Sequence, residues 1–307
     1  MILLHVGDHL SQATTFWDLF GFWDVEIVAL VILLIIFVAY VIGFSKLRFR
    51  GRYSAVSTPN IVFFSLSIIV LLISLVSPID TFGSDLFFVH MIQHILIVMI
   101  AAPLILLASS MRVFIWSLPK VPRYKIGHWL SKGGFARKAL EKLTSMRTSF
   151  VIYYFVAVFW HIPVFYDAAL SFAALHYFEH LTMLFAALIF WWPVIGSAPI
   201  RAREQFPVRM LYLFIATILN TALGVSLAFA RGTMYSFYED APRHWGISLA
   251  QDLQTGGLIM WVPGNMMYLI ALAIVFLVWA NREETYNSKR EKAQEKRDKY
   301  MKTLNKL

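Results

Sequence analysis

WDVEIVALVILLIIFVAYVIGF, residues 23–44, carries no charged side chain from Ile27 to Phe44. A helix rises about 1.5 Å per residue, so about 20 mostly apolar residues cross a hydrocarbon core about 30 Å thick. This stretch meets that length. Working outward, six more stretches do the same, at approximately 60–77, 86–107, 149–166, 176–196, 209–230 and 250–280. The fold class is therefore all-α: a polytopic membrane protein with seven transmembrane helices in residues 23–280, a segment 1–22 before them and a basic tail 281–307 after them. Composition agrees, because 59% of the 307 residues are hydrophobic and only 15% charged, outside the range of soluble domains. Pro103, Pro163 and Pro193 fall near span ends, where a missing N–H is tolerated. The last span is long enough to leave the core or to bend at Pro263.

Orientation follows from the basic residues, which are retained on the cytoplasmic side. The segments 45–59, 108–149, 197–209 and 281–307 carry 25 of the 27 Lys and Arg, and the alternate connections hold only Arg231 and Arg243. The N-terminus is thus expected outside and the C-terminus in the cytoplasm. The formal charge of +9 is explained by this topology and by attraction to anionic lipid, which leaves no reason to invoke nucleic acid. The N-terminal segment lacks a basic n-region and a small-residue cleavage site, so it reads as mature protein. In the long inner connection, ARKALEKLTSM has the pattern of a short surface helix.

With this orientation, eight of nine histidines sit at the outer side and only His128 lies inside. Three pairs are spaced i,i+4, which places two side chains on one helix face: His5/His9, His90/His94 and His176/His180. His94 and His180 lie about one turn deeper than their partners, and ionisable groups within a span are functional candidates. His161 and His244 read individually as interfacial residues whose polar edge reaches water. Span 5 adds Met183 on the stripe of His176 and His180, and imidazole with thioether favours copper, Cu(I) over Cu(II). Methionine among apolar neighbours is ordinarily packing material, and the same holds for Met260, Met266 and Met267. Glu179 adjoins His180 but on an adjacent face; Asp85, Asp167 and Asp252 sit at outer span ends or in loops, where they can orient a histidine or attract a cation. Asp252 opens QDLQTGG, whose two glycines permit close helix contact.

Three functions are compatible with these residues: copper handling at the outer leaflet, electron transfer by a haem between histidines of two spans, and a scaffold in which the histidines are polar interhelical contacts. Phosphate loop, nucleophile elbow and HExxH are all missing from the sequence, so a hydrolase or nucleotide-driven pump has no residue support, and no enzyme activity is expected. The absence of cysteine removes thiolate chemistry.

The segments HMIQHILIVMIAAPLILL, WHIPVFYDAAL, HYFEHLTMLFAALIFWWPVIG and DLQTGGLIMWVPG, in this order, resemble the multi-spanning CtaG family of assembly factors for caa-type cytochrome c oxidases. The resemblance runs from about residue 20 to 280 and is most specific in the paired histidines and the GGLIMWVPG block. It differs from the single-span, cysteine-bearing chaperone that has shared the label. It implies a plasma-membrane protein that binds copper and supplies it to an oxidase subunit, with lipid around it, an unnamed copper donor and a homo-oligomeric state left open. Carried over by position, it points to His90, His94, His176 and His180, with Asp252 added from the last span; Met183 comes from the residue argument alone.

Overall fold

The computed structural model describes residues 26–304 except 52–55, 132, 201, 203, 231 and 233. The segment 1–22, the pair His5/His9 and the first residues of span 1 lie outside the described residues. Among the described residues the chain is helical and contains no strand. The order is α1 (Ile27–Phe49), α2 (Thr58–Leu75), α3 (Pro78–Gly83), α4 (Phe87–Ile95), a π-helical turn (Leu96–Ala101), α5 (Ala102–Leu107), α6 (Ser110–Ser117), α7 (Lys120–Trp129) and α8 (Phe135–Leu143). It continues with α9 (Met146–His161), α10 (Pro163–Ser171), α11 (Ala173–Ile195), α12 (Phe206–Ala228) and α13 (Leu249–Leu304).

Six helical stretches are long and apolar enough to cross a membrane: α1, α2, the run Phe87–Leu107, α11, α12 and α13. Large apolar side chains such as Ile27, Leu34, Ile35, Ile218 and Leu277 are more than half exposed. A belt of that extent suits hydrocarbon and not water, so the chain fits a multi-pass membrane protein. The expected span at 149–166 ends earlier in the structure. α9 stops at His161, Ile162 is extended and Pro163 opens α10, because a residue before proline is driven out of the helical region. At 16 residues α9 is short for a crossing. It becomes a seventh only when joined to α8, from which it bends by 64°.

The run Phe87–Leu107 is continuous through Pro103 by way of the π turn. Ala102 N–H donates to the carbonyl of Ile97, five residues back, so the next donor in that register would be Pro103, which has none. The carbonyl of Val98 is thereby freed and accepts the indole N–H of Trp191 at 3.0 Å. This bond adds to the apolar packing between α11 and the second half of the helix that carries His90 and His94. Elsewhere, Gly196 ends α11 in the left-handed conformation (φ 74°), the usual use of glycine there. α13 runs unbroken through Pro263 and past residue 280.

α12 and α13 approach closely at two glycines. A Cβ on Gly257 would overlap the backbone of Ala228, and one on Gly224 would meet Trp261. Asn220 then bridges to the Met260 carbonyl at 2.8 Å and to Asn265 at 2.9 Å. α13 meets α4 at Gly256, which makes room for the ring of Phe87. These contacts fix the start of α4.

Candidate metal centre

The histidine pairs of α4 and α11 face one another. Ring centroids are 4.4 Å apart for His90/His94 and for His176/His180, and 5.2, 5.6 and 5.4 Å apart for His90/His176, His90/His180 and His94/His180. Donor atoms of His90, His94 and His180 all lie within 4.8 Å of one another, as do those of His90, His176 and Glu179. The Nε2 atoms of His90 and His180 are 3.4 Å apart. Two imidazole nitrogens held about 2.0–2.1 Å from one tetrahedral ion, the zinc range, would be about 3.3 Å apart. The observed gap suits a shared ion.

The hydroxyl protons around His90 decide which of its nitrogens is protonated. Tyr238 donates its hydroxyl proton to the carbonyl of Gly83 at 2.9 Å. The 2.9 Å contact between the Tyr166 and Tyr238 hydroxyls is then satisfied by the proton of Tyr166. The Tyr166 oxygen, 2.8 Å from His90 Nδ1, is left to accept. His90 therefore carries its proton on Nδ1 and presents the Nε2 lone pair to His180, the arrangement in which a ligating histidine donates its other N–H to a fixed acceptor. His161 obeys the same logic. Its Nδ1 lies 2.6 Å from the carbonyl of Ala157, which only accepts, so the lone pair is on Nε2.

The remaining donors are of the kind that a cation takes up, and no protein group hydrogen-bonds them. Both ring nitrogens of His94, Nε2 of His161 and of His176, and both carboxylate oxygens of Glu179 are buried without a hydrogen-bond partner. Buried polar groups are almost always paired, and each exception calls for an explanation. Glu179 is completely buried, with Oε1 3.5 Å from His94 Nε2. In the sequence it adjoins His180 and lies on an adjacent face. The relevant spacing is three residues from His176, which also shares a face, and that signal was in HYFEH. Tyr166 and Tyr238 had no such signal, since they reach His90 through α10 and the loop after α12.

Asp252 occupies a different place from the one expected. Its two carboxylate oxygens accept the backbone N–H groups of Phe87 and Phe88, each at 2.9 Å, and it belongs to neither donor group. It caps α4 and sets the height of His90 and His94. His244 is corrected too: it is fully buried, not interfacial, with Nε2 2.9 Å from Asp85. Burial pushes the Asp85 carboxyl up, and the hydrogen bond and charge of His244 draw it partly back. Asp167 accepts Ser236 N–H at 3.1 Å and its hydroxyl at 2.6 Å. These two pairs anchor the loop that delivers Tyr238. His161 is likewise buried, at 6% exposure, with its ring 6.3 Å from that of His94. Met183 lines a cavity of about 40 Å³ that His94 and His161 also line.

The curated relatives that the chain matches are distant. It is 22% identical to an uncharacterised protein of Mycobacterium leprae over 91% of its own length and 42% of the relative's. It is equally similar, at 22%, to uncharacterised proteins of Mycobacterium bovis and Mycobacterium tuberculosis over 94% of its length and 44% of theirs. The chain thus spans less than half the length of the curated relatives it matches. No solved structure matches it. The family model described as cytochrome c oxidase caa3 assembly factor, Caa3_CtaG, matches residues 38–282 and so takes in both histidine pairs, Glu179 and the capping Asp252. The chain belongs to the Caa3_CtaG family.

Proposed function

We propose that the protein assists assembly of a caa3-type cytochrome c oxidase in the plasma membrane by holding copper on His90, His94, His176 and His180 and passing it to an oxidase subunit. The observation that carries this reading is the pair of donor groups that share His90, one with His94 and His180 and the other with His176 and a buried Glu179 that has no hydrogen-bond partner. Copper is cargo here and no catalytic turnover is needed. The histidines and Glu179 supply the donors, Tyr166 fixes the tautomer of His90, and Asp252 holds the helix that presents two of the rings. Neutral imidazoles, one carboxylate and a monovalent cation sum to zero charge, and a buried charge that is paired costs far less than a bare one. That balance favours Cu(I). The Lys/Arg asymmetry puts the N-terminus and the histidine end outside and the C-terminus in the cytoplasm, which suits delivery from the outer face.

The haem alternative needs a slot for a macrocycle between two histidines. Four rings at centroid separations of 4.4–5.6 Å leave none. The scaffold alternative leaves the unpartnered nitrogens without a purpose.

The test is the copper-to-protein ratio of purified protein loaded under reducing conditions. At least one copper per chain is expected, reduced in both His90→Ala and His180→Ala at unchanged expression. Unchanged copper in both variants would overturn the ligand assignment. A Soret band would turn the reading to haem, and absence of both metal and haem to a scaffold.

A further inference from the structure

The cavity beside the histidines has a composition of its own. Met91, Met99, Met183 and Met260 line it, drawn from α4, the π turn, α11 and α13, and His94, His161, Tyr153, Tyr154 and Asn220 supply the polar part of its wall. At about 40 Å³ it exceeds the ~10–15 Å³ a water-sized occupant requires. Its two imidazoles are at least nine-tenths buried, and His161 Nε2 and both nitrogens of His94 are unpartnered. A cavity meant for water would offer several hydrogen-bonding groups. Here the Tyr154 hydroxyl already donates to the Ala216 carbonyl, the Tyr153 hydroxyl accepts from Tyr268, and the Asn220 amide donates to Met260 and Asn265, which leaves chiefly imidazole lone pairs and thioethers, themselves weak acceptors. Soft sulfur with imidazole selects a soft monovalent cation and discriminates against zinc or Cu(II).

The geometry points to a second Cu(I) site in this cavity, formed by thioethers of Met183 and its neighbours with His161, and sharing His94 with the imidazole cluster. The inference rests on the copper reading above and extends it. His94 belongs to the donor group with His90 and His180 and also to the cavity wall. An ion can therefore exchange ligands from imidazole and carboxylate to thioether through one side chain. Its oxidation state stays the same and no proton has to be transferred to sulfur.

The experiment loads the full chain anaerobically with Cu(I) and, separately, with Zn(II), then counts bound ions and records X-ray absorption at the copper edge. Wild type should bind two Cu(I) with sulfur scattering and one Zn(II). Met183→Leu/Met260→Leu, which nearly conserves volume, should bind one Cu(I) without sulfur scattering and still one Zn(II), the retained zinc reporting an intact fold. His90→Ala/His180→Ala should lose the zinc and one Cu(I), and keep a sulfur-bound Cu(I). One Cu(I) without sulfur scattering in wild type, or two in the methionine variant, would overturn the second site and leave the histidine reading standing. Sulfur-bound copper at full count in the histidine variant would instead sink the histidine reading and keep the second site.

Discussion

Glu179 illustrates how a single residue can be misplaced by its nearest neighbour in sequence. Beside His180 it looks turned away, yet it stands three residues from His176 and groups with His176 and His90. The i,i+4 histidine pairs were legible because one helix periodicity fixes both members. Tyr166 was not, since its bond to His90 spans 76 positions and depends on the break at Pro163. A buried carboxylate with no partner is destabilising unless a cation joins it. Glu179→Gln, nearly isosteric but uncharged, should therefore lower Cu(I) affinity by about tenfold or more. Competition with a Cu(I) chelator measures this, and an affinity equal to wild type would remove Glu179 from the site.

At the scale of elements, the spans were legible from hydropathy, whereas the joints between them were set by local chemistry that hydropathy averages away. Two joints govern the site. Asp252 caps α4, and replacing its charge while keeping its shape, Asp252→Asn, should cost about 1 kcal/mol, typical of a lost N-cap. Because it holds the helix and is outside both donor groups, copper in Asp252→Asn should show the same nearest-neighbour scattering as in wild type. An altered ligand shell would return Asp252 to the list of direct ligands. The other joint is the π turn. Trp191→Phe strands the Val98 carbonyl and should cost about 1–3 kcal/mol. Adding Pro103→Ala restores an N–H in the register that serves Val98, so part of the loss should return in thermal unfolding. If Trp191→Phe unfolds like wild type, the bond is dispensable.

For the whole molecule, the sequence carries an argument that the helices do not: which end faces the cytoplasm. Packing of α4, α9 and α11 gathers His90, His94, His161, His176 and His180, but packing is indifferent to the sides of a membrane. The basic residues are not indifferent, because lysine and arginine resist translocation. The two arguments meet in a labelling experiment for which this chain is well suited, having no cysteine of its own. Asp240, exposed in the loop between α12 and α13, and Asn287, exposed on the extended end of α13, lie on opposite sides in the expected orientation. In intact cells a membrane-impermeant maleimide should label Asp240→Cys at once and Asn287→Cys only after the membrane is opened. The reverse pattern would place the histidines at the cytoplasmic face, and copper would then have to reach the oxidase from the inside.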